Sequence, residues 1–164
     1  MNRAARVLAC VALAIVGTAS PALAARPIVE EFVETGAFDI DCGAFVLHET
    51  FTETVRVTTF LDAAGEPDRL IANVRFLGLI TTSDGSVLRD NGFFNDFVDL
   101  AGPEEGDETV REAGFIFNIV IPGMGSVAQD TGLIIFQADG DVIVRGPHEV
   151  FDAGSVESLL CPLF

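Results

Sequence analysis

Leu133-Ile134-Ile135-Phe136-Gln137-Ala138-Asp139-Gly140-Asp141-Val142-Ile143-Val144-Arg145 consists of two short runs rich in β-branched residues, folded about an Asp-Gly pair. Asp-Gly accepts the positive φ of a tight turn, so the stretch reads as an antiparallel hairpin, the clearest in the chain. Counted at period two, Ile134, Phe136 and Ile143 share one face, and Leu133, Ile135, Val142 and Val144 occupy the other. Both faces are apolar and both need cover. One is expected to face the core and the other to pack under the terminal segment or against another subunit.

Upstream of this hairpin the same alternation recurs, and no long stretch shows helical spacing. From Phe45 to Leu61 the odd positions Phe45, Leu47, Phe51, Val55, Val57 and Leu61 form an apolar face, interrupted by Glu49 and Glu53. The run is long for one straight strand, so a bend is expected near Thr52 to Thr54. After Ala64-Gly65-Glu66-Pro67, the positions Leu70, Ala72, Val74, Phe76 and Ile80 point one way, with Arg69, Asn73 and Arg75 among those opposite. Asp84-Gly85 fits a two-residue hairpin turn. Short strands at Val87 to Arg89 and Phe93 to Leu100 follow, then an acidic loop, Gly102-Pro103-Glu104-Glu105-Gly106-Asp107. Thr109 to Ile121 is a strand with Ala113, Phe115, Phe117, Ile119 and Ile121 inward, turned by Pro122-Gly123.

Beyond Gly146-Pro147 the pattern changes, and Ser155 to Leu160 reads as one or two helical turns leading to Cys161. The fold class is therefore all-β: an antiparallel meander of seven to eight strands, curled into a closed or nearly closed small barrel, with a short C-terminal helix. Closure would also remove exposed strand edges.

The N-terminus carries Arg3 and Arg6, an uncharged apolar run from Val7 to Ala19, then Pro21 and Ala22-Leu23-Ala24. This is the pattern of a secretory signal peptide, residues 1–24, and the run is too short for a membrane span. Residues 25–164 form one secreted or extracytoplasmic domain of ordinary size. Cys10 leaves with the leader, and Cys42 and Cys161 remain. In an oxidising compartment that pair is most simply a disulfide; a metal pair is the alternative, without a C-x-x-C step to favour it. The bond would stabilise the fold by roughly 4 to 5 kcal/mol in the chain-entropy model.

All nine cations are arginine, against 25 Asp and Glu. Without Arg3 and Arg6 the balance is seven against 25, a net charge of −18. Such a field disfavours nucleic acid and anionic membrane surfaces as partners. Fourteen Phe accompany no Trp and no Tyr. The rings with a polar edge that suit sugar platforms are thus absent, which counts against a carbohydrate-binding module.

Cys42-Gly43, Thr58-Thr59-Phe60, Asp62, Gly65, Pro67, Ile121-Pro122-Gly123, Asp139-Gly140, Gly146-Pro147-His148 and Leu160-Cys161 together resemble an uncharacterised group of small secreted β-rich proteins of high-GC bacteria. The resemblance spans nearly the whole mature chain, rests on turns and cysteines, and implies secretion and β architecture. At the level of fold alone, the meander is similar to calycin or allene oxide cyclase-like barrels.

Candidates for chemistry are few. The two histidines are His48, a strand residue, and His148, a loop residue near the barrel rim. Gly-x-Ser-x-Gly is absent, and Ser126 sits in a Gly-rich turn. Glu49 and Glu53 share a strand face about 13 Å apart if the strand is straight. They read as an acid and base facing a cavity, as partners of Arg56, Arg75 or Arg111, or as groups turned outward by a bend. Asp139-Gly140-Asp141 lacks the spacing of a calcium loop, and no metal or cofactor motif stands out, so none is expected. Phe76, Phe115, Phe117 and Phe136 hold inward positions, either filling a core or lining a small-ligand site.

Three functions follow. The first is non-enzymatic binding of a small hydrophobic molecule or a partner protein. The second is a cofactor-free isomerase, cyclase or hydrolase for an apolar substrate, using Glu49, Glu53 or His48. The third is a structural protein forming a homo-oligomer through its last hairpin.

Overall fold

The computed structural model describes residues 26–100 and 108–164. The leader assigned to residues 1–24 and the acidic loop at Gly102 to Asp107 lie outside the described residues. Seven strands form one antiparallel meander: β1 (Ile28–Asp41), β2 (Val46–Leu61), β3 (Pro67–Thr81), β4 (Val87–Asp99), β5 (Thr109–Ile121), β6 (Gly125–Phe136) and β7 (Val142–Arg145). Each strand pairs with its sequence neighbours, and β1 and β7 end the order, so the sheet is not closed.

Alternation is cleanest in β3, where Leu70, Ala72, Val74, Phe76 and Ile80 are buried as expected. Leu70, Ala72, Val74 and Ile80 meet Val55 and Val57 of β2, Leu88, Phe94 and Val98 of β4, and the inward residues of β5 and β6 in one core. Burying each such Val, Leu or Phe side chain contributes about 1.5–3 kcal/mol, and the inner face is where the sheet's stability is concentrated.

Three hairpins share one turn. Asp62, Thr82 and Gln137 each donate an N–H to the carbonyl four residues on, and each accepts from Gly65, Gly85 or Gly140. Those glycines have φ between 85° and 89°. The loops are thus three residues long, ending on a left-handed glycine, and correct the two-residue reading of Asp84-Gly85. At Asp139-Gly140 the same turn exchanges the faces of β7. Val144 lies opposite Ile134 and Val142 opposite Phe136 on the inner side, while Ile143 joins Ile135 outside.

Other departures have equally local causes. β4 is one strand, not two, because Gly92 carries the chain past β5: a Cβ there would stand 2.6 Å from the Ile116 carbonyl oxygen. A register shift between Phe115 and Phe117 flips the first half of β5, so Ala113 and Phe115 lie outside, opposite Asn95 and Phe93. Beyond the bulge, Phe117 and Ile119 are inward as expected. β1 was not expected from the sequence at all.

The C-terminal segment returns across the sheet. Helix α1 (Glu149–Ala153) packs on β6, and α2 (Val156–Leu160) reaches β1. The Ser155 side chain accepts a hydrogen bond from the Ser158 N–H, which starts α2 within a residue of the expected place. Leu160 is fully buried in the core, and Cys161 is bonded to Cys42 just after β1, with a Cα–Cα distance of 5.4 Å. The expected disulfide is present.

Candidate functional site

The candidate residues divide between the two sides of the sheet. Glu49, 1% exposed, and the half-buried Glu53 both face inward, and no bend turns them out. His48 lies on the opposite face, exposed, with Nδ1 2.6 Å from Asp39 Oδ1. The three do not converge. Instead, the sequence reading missed Asp90, which stands opposite Gly78 in the register and is buried beside Glu49. A side chain at Gly78 would meet both Glu49 Oε1 and Asp90 Cβ, so this glycine is what lets two carboxyl groups occupy one spot of the core wall.

Asp96 and Asp130 are also buried on the inner face, and Asp96 stands opposite Glu112. The strand arginines take the other side: Arg56, Arg69, Arg75, Arg89, Arg111 and Arg145 occupy outer positions. The strand arginines are thus confined to the outer face, while the buried carboxylates Glu49, Asp90, Asp96 and Asp130 all face inward. Among the described residues no group of three or more Asp, Glu, His or Cys side chains is placed to hold a metal ion.

His148 is a correction to the expected rim position. It is fully buried, forms a backbone bridge with Asp130, and places Nε2 3.2 Å from the Arg145 carbonyl oxygen. Gly132 makes room for it, since a Cβ there would come within 3.0 Å of Nε2. Burial pushes the Asp130 carboxyl above its ordinary range, opposed by the Val150 N–H, which donates to Oδ1 at 2.8 Å, and by His148. Together these contacts fasten the start of α1 to β6.

The four phenylalanines do not line one cavity. Phe117 is buried in the core, and Phe76, also buried, stacks on Phe51 with ring centroids 5.2 Å apart. Phe136 is half-buried at the β7 hairpin, and the bulge has put Phe115 outside.

An open groove of about 730 Å³ lies on the outer face instead. Its floor is two adjacent rows across the strands. Thr35, Thr52, Leu77 and Asn91 make one, and Thr50, Leu79 and Arg89 the other. Short threonines on β1 and β2 leave the leucines uncovered, Leu77 at 54% and Leu79 at 49% exposure. Phe93, 59% exposed, extends this apolar surface along β4, and Arg75 stands beside it on β3. The sequence did carry a signal for this: Phe76 to Ile80 is apolar at every position, the mark of a strand with two apolar faces. Comparisons with protein-family models, with curated proteins and with solved structures gave no match.

Proposed function

We propose that this is an extracytoplasmic binding protein whose outer groove takes a small molecule with an apolar body and an acidic or hydrogen-bond-accepting end. The observation that carries the reading is the exposed Leu77–Leu79 floor ending at Arg89 and Asn91. The volume suits a small molecule, and an apolar floor with a few polar groups at one end is how such sites fix orientation. Arg89 and Arg75 supply local positive charge on this face, although the chain as a whole is acidic. The Cys42–Cys161 disulfide supports an oxidising compartment, and no described helix is long and apolar enough to cross a membrane.

An apolar fluorescent dye bearing a sulfonate tests this directly, because the chain has no Trp to interfere. Leu77→Ser with Leu79→Ser should abolish its binding at unchanged secondary structure. Arg89→Gln should weaken it about tenfold, the loss of one charge-assisted contact. Unaltered binding by both variants sinks the groove as the site.

A further inference from the structure

The structure assigns a second surface: we propose that the free edge of β1 receives an extended, basic segment of a partner protein, which adds to the sheet as another strand. β1 is 14 residues long and pairs with β2 through its whole length without a bulge. Among the described residues no strand pairs with its other side. Its side chains stay open on both faces: Val33 outside is 62% exposed, and Ile28 and Phe38 on the inner side are both over 40%. Such an edge presents a row of main-chain donors and acceptors, which proteins usually blunt with charged side chains, proline or a bulge. β1 has neither proline nor a bulge, and its charges are all carboxylates, which oppose an acidic or like strand but not a basic one. Its end is also held in place, because Cys42 follows directly and is bonded to Cys161.

Charge selects the occupant. β1 carries five carboxylates, Glu30 and Glu34 toward the inner side and Glu31, Asp39 and Asp41 toward the outer, and no basic residue. A second copy paired edge to edge would bring these groups against their own kind, and like charges across a strand pair are destabilising. A segment alternating apolar and basic residues meets the opposite condition on both faces. Main-chain hydrogen bonds would supply affinity and the carboxylates selectivity, as in other strand additions. This surface adjoins the groove at Thr35 but uses the main-chain edge of β1, and it does not depend on the groove's ligand.

The test uses the mature protein and a ten-residue peptide of alternating lysine and valine, with two analogues N-methylated at the odd or at the even positions. One analogue should bind at least tenfold more weakly, because its edge-facing amides are blocked, while the other binds as the parent does. The parent should slow hydrogen exchange in β1. Two analogues that behave alike would show adsorption by charge alone and overturn the proposal, as would protection confined to other strands. Exchanging Glu30 and Glu34 for lysine should shift preference to a glutamate-valine peptide; retained preference for lysine is likewise fatal. Sedimentation that shows a β1-dependent dimer, dissociated by those same lysines or not, would assign the edge to a second copy instead.

Discussion

The inner and outer faces of β2 to β4 are built from alternate residues of the same strands, yet they differ in what each substitution should cost. Inside, Val74 and Leu70 are packed among apolar neighbours, and carboxylates such as Glu49 and Asp90 are embedded in that wall. Outside, Leu77 and Leu79 are half in solvent among threonines and arginines. A residue's phase, not its hydrophobicity, decides whether it supports the fold or remains for binding.

The sharpest way to break this contrast is to release the segment that covers the core. Cys161→Ser should cost about 4–5 kcal/mol under oxidising conditions, the loop-closure value for 119 residues of separation. Calorimetry checks it, and an unchanged Tm would mean that the bond does not constrain the unfolded chain. Next, Leu70→Ala should cost about 2–5 kcal/mol in urea unfolding, whereas Leu77→Ala, seven positions along the same strand, should stay within about 0.5 kcal/mol. Equal losses would erase the distinction between the faces.

Acid titration gives a finer contrast. The raised folded-state pKa of Asp130 means that its contribution is most favourable below the unfolded pKa and is lost as pH rises through the folded one. Asp130→Asn keeps an oxygen for the Val150 N–H and removes the buried charge, so it should be more stable than the parent at neutral pH, with the difference vanishing in acid. Asp84 is opposite in sign. Hydrogen bonds from Thr82 and Ser86 in an exposed turn lower its pKa, so its contribution is present above the unfolded pKa and fades as pH falls through the folded one. Asp84→Ala should give the smallest effect of the set, confined to that pH dependence, as read from urea midpoints across the acid range.

Much of this architecture was legible because β2, β3 and the second half of β5 alternate over a buried face. The C-terminal helix was legible because the strand alternation stops after Gly146-Pro147. β1 was not, because five carboxylates interrupt it and only Ile40 is buried, so the burial that produces alternation hardly acts there. The faces of β7 and of Phe115 were misread for a different reason: one extra turn residue or one bulge inverts every later side chain. At the candidate site, Glu49 and Glu53 were found because they break an apolar row. Asp90 was hidden beside Asn91-Gly92, where the pattern looked like a gap between strands. Leu77 and Leu79 share the phase of Arg69, Asn73 and Arg75, opposite the inward row, and so stand outside the pattern that marks the core.

The strictly sequential pairing of β1 to β7 also governs how the chain folds. Every hairpin can close from neighbours in sequence, which keeps contacts local and favours rapid zippering. The exceptions are the contact of α2 with β1 and the Cys42–Cys161 bond, which spans 119 residues. Cys42 lies at the first turn and Cys161 beyond the last strand, so oxidation in the native pairing waits for the whole meander to assemble. The disulfide thus acts as a latch on a finished sheet, rather than as a seed for one.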